Sequence, residues 1–244
     1  MWDRSLAAHG RVFFDLVRPT VSVAGSDRLF PVHRIYCVGQ NYAAHSREMG
    51  DDPDREPPFY FMKPADSVTE SGATIPYPPR TRNLHHEIEL VVAIGKAGKN
   101  IDLSRALDHI FGYAVGIDLT RRDLQAQAKD KRRPWDTGKS FEHAAPVSAI
   151  HKVDKIGHPS TGRIWLAVNG GVRQEGDVKD MIWDVPETIA ELSTLFTLAP
   201  GDLIFTGTPA GVGAISSGDR ITGGIDGVDE ISIDIEESVS SPSI

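Results

Sequence analysis

The sequence predicts a β-rich α+β domain with a few flanking helices. Two observations carry this: short strand-like runs outnumber helical patterns, and hairpin cues outnumber βαβ spacing. The opening segment, 1–33, is weakly patterned and is expected to precede one large domain over 34–240. "HRIYCVGQNY" reads as a strand (Ile35, Tyr36, Cys37, Val38) ending at Gly39 and a polar turn. "AAHSREMG" has good helix formers and Gly50 as a C-cap. "DDPDREPP" is loop, "FYFMK" is a strand stopped by Pro64, and Ser67 to Arg82 reads as turns and short strands. "NLHHEIELVVAIGK" reads as a core strand, and "IDLSRALDHIFGYAVGID" as a helix capped near Asp102 or Ser104 followed by a strand. "LTRRDLQAQAKDK" is a polar helix. "GRIWLAVNGGVRQEGDV" is a hairpin turning at Asn169-Gly170-Gly171. "VPETIAELSTLF" is a helix with Pro186 in its first turn, "DLIFTG" a buried strand followed by a Gly-rich loop, and "DEISIDIEE" a strand with one exposed face.

The bulk numbers exclude several classes. With 244 residues the chain can bury a sizeable core without staples, and its single cysteine, Cys37, permits no intrachain disulfide. A net charge of -8 and the lack of a basic track argue against nucleic acid as a partner. The one basic cluster, Lys129 to Trp135 in "KDKRRPW", reads as solvated surface. The N-terminus lacks the apolar core of a signal peptide, and no run is long enough to span a membrane. The expectation is a soluble cytoplasmic protein.

In "NLHHEIELVVAIGK", Glu87 and Glu89 stand two apart, so on a strand they share a face. Read alone, such a pair is an ordinary solvated edge. Yet the residues that follow are apolar on both faces, buried like charges need a cation, and a third acid, Asp118, ends the apolar strand "YAVGID". Three carboxylates with positions open to water and substrate suit a hard divalent ion: Mg2+ fits best, with Mn2+ and Ca2+ also compatible. A thiolate zinc site is excluded by the single cysteine. His85 and His86 adjoin the pair, but no HExxH spacing is present, so both are read as neighbours rather than ligands.

His45 and Glu48 in "NYAAHSREMG" are three apart on the expected helix, so they can pair as an oriented general base; spacing alone favours an ordinary exposed pair. Lys139 in "TGKSFEH" could set an ammonium beside an anionic intermediate or lie at the surface. "FTGTPAGVG" offers Thr208 and several backbone N–H groups as a carboxylate cradle. No P-loop, GxGxxG or GxSxG motif occurs.

Together, "IYCVGQNYAAHSREMG", "FYFMKPADSV", "HHEIELVVAIGK", "GYAVGIDLTRRDLQ", "PWDTGKSFEHAAPVS", "VNGGVRQEGDVKDMIW" and "PGDLIFTGTPAGVG" resemble the fumarylacetoacetate hydrolase family from about Ile35 to Glu236. The resemblance implies a mixed β-sandwich roll and a homodimer. It implies Mg2+ or Mn2+ on Glu87, Glu89 and Asp118, a water-activating dyad of His45 and Glu48 on a mobile lid, and Lys139 beside the developing enolate. Gln125 and Thr208 match positions that contact substrate or organise the metal site, with Arg122 and Lys63 as weaker candidates. Many relatives read "VGRNY" where this chain has "VGQNY", so Gln40 removes a cation near the pocket. The implied reaction is hydrolytic C–C cleavage of a 2,4-dioxo acid, a small-molecule substrate. The stretch from "PPFYFMKPADSV" to "HHEIELVVAIGK" is most similar to the branch that acts on 3-fumarylpyruvate in aromatic (gentisate) catabolism. Oxaloacetate decarboxylation and isomerisation of a dioxo acid are the alternatives within the family; a metal-stabilised binding protein is the alternative outside catalysis.

Overall fold

The computed structural model describes residues 13–43 and 56–236. An eight-stranded mixed sheet forms the centre. Its strands run in the order Phe59–Lys63, Ile35–Gly39, Leu203–Phe205, Ile88–Ile94, Ile110–Ile117, Ala145–Val147, Val68–Glu70, and His151–Lys152 also pairs with Ile110–Ile117. A five-stranded sheet contains Gly171–Asp177, Arg163–Val168, Arg220–Ile225, Asp229–Ile235 and Thr74–Ile75 in that order.

The central strands explain their own composition. Tyr36, Leu90, Val92, Ile94, Val115 and Ile117 point into the larger core, against Ile164, Leu166, Ile221 and Ile233 of the five-stranded sheet and Ile189 and Leu192 of helix Val185–Leu195. Ile35, Cys37, Val91, Ala93, Ala114 and Phe205 point the other way, under Val21 and Phe30 of the N-terminal strand pair and the neighbouring Val23 and Val32. A sheet covered on both faces favours apolar residues at every position, and Ile88–Ile94 is buried throughout and apolar except at Glu89. The outer strand Asp229–Ile235 alternates buried and part-exposed, as a one-faced strand must.

Local signals are realised where side chains can satisfy the backbone. Helix Val185–Leu195 starts with a capping box: Asp184 accepts from Glu187 N–H at 2.9 Å and Glu187 accepts from Asp184 N–H at 3.2 Å. The hairpin turns on Asn169 and Gly170, both at positive φ, and Gly171 opens the returning strand. Two expectations change. The segment 103–109 is a 3-10 helix, Leu103–His109, and its flanking Asp102 makes no side-chain cap bond. The run expected to be one strand is broken at Glu87: Leu84–His86 joins a small sheet with Thr120–Arg121 and Gly213–Ile215, and the central strand begins at Ile88. The expected helix bearing His45, Glu48 and Gly50 lies outside the described residues.

Candidate metal and substrate site

The break at Glu87 builds the site. Glu87 stands between the two strands; its carbonyl accepts from Asp118 N–H at 2.8 Å, tying the entry of one central strand to the exit of the next. Glu89 opposes Gly116 across that pair, on the face of Val91 and Phe205. Asp118 follows the end of strand Ile110–Ile117. One carboxylate oxygen from each of Glu87, Glu89 and Asp118 lies within 4.8 Å of the others, and all three residues are buried.

Cations surround this cluster. Lys139 Nζ donates to Glu87 Oε2 at 2.8 Å and to Asp118 Oδ2 at 2.7 Å. Lys63 Nζ stands 2.8 Å from Asp118 Oδ1, while donating to the carbonyls of Leu119, at 3.1 Å, and Lys139. Arg122 pairs with the remaining Glu87 oxygen and donates to Gln125 Oε1 at 2.6 Å. Glu89 instead accepts from Gly207 N–H at 2.7 Å. Gly207 is required there: its φ is +96°, and an added Cβ would meet Asn41 Cβ at 2.6 Å. Burial, then the fields of Asp118 and Glu87, push the Glu89 carboxyl well above the ordinary range. Burial alone would lower Lys139, but Asp118 and Glu87 outweigh it and its pKa rises, so the ammonium persists at neutral pH.

The donor set fits a divalent cation. It offers hard carboxylate oxygens converging from three rigid strand ends, and a double positive charge would offset the mutual repulsion that Glu89 suffers.

The cavity over these carboxylates is also lined by Gln40, Phe61, Arg122, Gln125, Lys129, Trp135, Lys139 and Thr208. Of the residues singled out in the sequence, Glu87, Glu89, Asp118, Lys139, Gln125, Thr208 and Arg122 are therefore brought together. Lys63 lies beneath the cavity, 1 % exposed and held by Asp118. His45 and Glu48 lie outside the described residues. His86 is buried and bonds Gln174 through Nδ1 at 2.9 Å, and burial lowers its pKa; His85 bonds Asn83 at 2.9 Å. Neither belongs to the carboxylate cluster.

Two groups escape the sequence reading. The basic loop reads as solvated, yet Lys129 and Trp135 line the cavity, with the Lys129 ammonium 5.9 Å from the Trp135 ring centre. Helical spacing holds the signal: Arg122, Gln125 and Lys129 stand at i, i+3 and i+7 on helix Arg122–Asp130 and share a face. Phe61 and Phe59 extend this wall, with ring centres 5.8 Å and 4.8 Å from Trp135. The other is Gln174, the one buried residue of strand Gly171–Asp177, which nothing in the local pattern marks.

A β-rich roll carrying a buried carboxylate triad beside a lysine defines a class of metal-centred enzymes. The chain belongs to the fumarylacetoacetate hydrolase family: residues 34–236 match the family described as fumarylacetoacetate (FAA) hydrolase C-terminal. It is 50 % identical over 184 residues to a fumarylpyruvate hydrolase of Ralstonia sp, covering 75 % of this chain and 95 % of that protein. It is 43 % identical over 206 residues to a mitochondrial oxaloacetate tautomerase of Arabidopsis thaliana, covering 84 % and 92 %. The crystal structure of fumarylpyruvate hydrolase from Pseudomonas aeruginosa, in complex with Mn2+ and pyruvate, superposes with a TM-score of 0.91 at 49 % identity, covering 93 % of this chain and all of that one.

Proposed function

We propose that this chain is a divalent-metal-dependent hydrolase that cleaves fumarylpyruvate to fumarate and pyruvate. The observation that carries the reading is the buried Glu87, Glu89 and Asp118 cluster with Lys139 held against it. Relatives whose names state fumarylpyruvate hydrolysis, one of them holding Mn2+ and pyruvate, support it. A bound cation would supply Lewis-acid charge at the pyruvate end of the substrate, which makes an enolate a tolerable leaving group.

The chain's own residues then divide the work. Lys139 keeps its proton and adds positive charge where the enolate forms. Arg122 donates to Gln125 Oε1, which orients the Gln125 amide so that its N–H groups can meet substrate oxygens. Phe61 and Trp135 form flat walls for a planar, conjugated acyl group. Lys129 faces the far carboxylate of that group, in place of the cation that Gln40 lacks. His45, oriented by Glu48, is assigned from the sequence as the base that activates water. Mg2+ as the resident ion, a cytoplasmic homodimer and a place in aromatic-ring catabolism belong to the same proposal.

Loss of the enol absorbance of fumarylpyruvate, with fumarate and pyruvate quantified, tests it. His45→Ala should lower that rate by about 10²–10⁴-fold while leaving Mn2+ affinity unchanged. The similarity to an oxaloacetate tautomerase favours a second reading, enolisation of oxaloacetate, and similarity to an oxaloacetate decarboxylase of Dictyostelium discoideum extends it to decarboxylation. Decarboxylation needs no attacking water, so it should survive His45→Ala far better. A wild-type protein that turns over oxaloacetate but leaves fumarylpyruvate intact would select the second reading.

A further inference from the structure

Gln174 is fully buried on an otherwise largely exposed strand. The pairing of Arg163–Val168 with Gly171–Asp177 slips by one residue: Leu166 opposes Gln174 but Ala167 opposes Val172. Such a bulge re-aims a side chain, and here Gln174 lies beneath the site while its sequence neighbours Arg173 and Glu175 stay exposed. The loop after strand Leu203–Phe205 packs tightly on this strand: a Cβ on Gly211 would meet Arg173 O at 2.2 Å, and one on Gly176 would meet Pro209 Cβ at 2.9 Å.

All four hydrogen-bonding positions of the Gln174 amide are used. Oε1 accepts from Ile88 N–H at 3.1 Å and from His86 Nδ1–H at 2.9 Å. Nε2 donates to Pro209 O at 2.8 Å and to Thr208 Oγ1 at 2.8 Å. The orientation is fixed from both ends, because a backbone N–H can only donate and a carbonyl can only accept. It follows that Thr208 Oγ1 accepts, and its own proton must go to another acceptor. Thr208 lines the cavity with the three carboxylates.

We propose that Gln174 is a positioning residue: it holds the Thr208 hydroxyl as an acceptor on its buried side, so that the hydroxyl presents its proton to an anionic oxygen of the substrate. The same amide ties the Glu87 strand break, through His86 and Ile88, to the loop that offers Thr208. This deepens the reading of the site as one for an α-keto acid and rests on it.

Pyruvate binding in the presence of Mn2+, measured by calorimetry, is the test, because it does not depend on turnover. Gln174→Glu is nearly isosteric but replaces the donor by an acceptor, so the introduced carboxylate would draw the Thr208 proton back. The variant should weaken pyruvate about tenfold, the worth of one hydrogen bond to a charged group, and raise KM for fumarylpyruvate with kcat within about threefold. Thr208→Val should weaken pyruvate to a similar extent, Thr208→Ser should not, and Q174E should add less than about twofold in the T208V background. If Q174E does not fold, Gln174→Met serves in its place: it releases the hydroxyl, weakens pyruvate by a smaller factor, and must again lose its effect in T208V. Equal affinities for wild type and Q174E, or losses that multiply in the double variant, overturn the inference. Coupled pyruvate binding in a protein that leaves fumarylpyruvate intact would instead sink the hydrolase reading alone, and a wild type binding no pyruvate would sink both.

Discussion

Glu89 accepts from Gly207 N–H yet lies buried beside two further carboxylates. Its folded pKa is raised above the unfolded value of about 4.3. Between those two values the folded chain keeps a proton that the unfolded chain has lost, so stability falls as pH rises through that window. Glu89→Gln removes the charge and keeps an acceptor for Gly207. In metal-free protein at neutral pH it should raise Tm, by about 2–4 °C for each kcal/mol relieved. Mn2+ should raise the Tm of the wild type, and the same change should abolish that rise and lower turnover at least about 100-fold, as loss of a charge-stabilising group does. Thermal scans with and without Mn2+ read both effects. Lys63 makes the opposite case. It is buried against Asp118 Oδ1, so Lys63→Met would leave that oxygen without its cation while Lys139 still holds the other, and should cost about 1–3 kcal/mol in denaturant unfolding. A loss below about 1 kcal/mol would mean that Lys63 serves the substrate rather than Asp118.

Helix Arg122–Asp130 presents Arg122, Gln125 and Lys129 to the cavity as one stripe. Lys129 is exposed at the rim, so its contribution is long-range and screened. Lys129→Glu should raise KM for fumarylpyruvate about tenfold at low salt, less at high salt, and leave acetylpyruvate, which has no far carboxylate, within about twofold. Initial rates on the two substrates compare them directly. The first turn of the same helix is fastened by Asp123, which accepts from Thr81 Oγ1 at 2.6 Å, Leu124 N–H at 2.9 Å and Arg82 N–H at 3.0 Å. Burial tends to raise its pKa, but these hydrogen bonds outweigh it and hold the carboxyl below the usual range. Its stabilisation is therefore present above the unfolded value of about 3.9 and lost as pH falls through the folded one. Asp123→Asn should cost no more than about 1 kcal/mol at pH 7, because the group is partly solvated, and the difference from wild type should vanish in strong acid. Elements of this kind were legible where a local rule sets them: Pro186 behind its capping box, the Asn169-Gly170 turn, the apolar run from Leu90 to Ile94. The break at Glu87 was not, because residues 84–86 and 88–94 carry one continuous strand pattern and part only when distant strands claim them.

Across the whole molecule, the central sheet is sandwiched between two cores, and the carboxylates converge where its strands end. The triad was legible because acids at the ends of apolar strands conflict with their surroundings unless a cation resolves the conflict. Lys129, Trp135 and Gln174 were hidden because nothing in the local sequence shows which side of a helix, loop or bulged strand the fold turns inward. No helix among the described residues is long and apolar enough to cross a membrane. The central claim is that Glu87, Glu89 and Asp118 hold a divalent ion on which C–C cleavage depends. The most direct measurement is fumarylpyruvate turnover by chelator-treated protein, before and after Mn2+ or Mg2+ is restored, with both products quantified. The account predicts no turnover without metal, and recovery to equal amounts of fumarate and pyruvate once it returns. Undiminished cleavage by metal-free protein, or intact fumarylpyruvate after metal is restored, would contradict it.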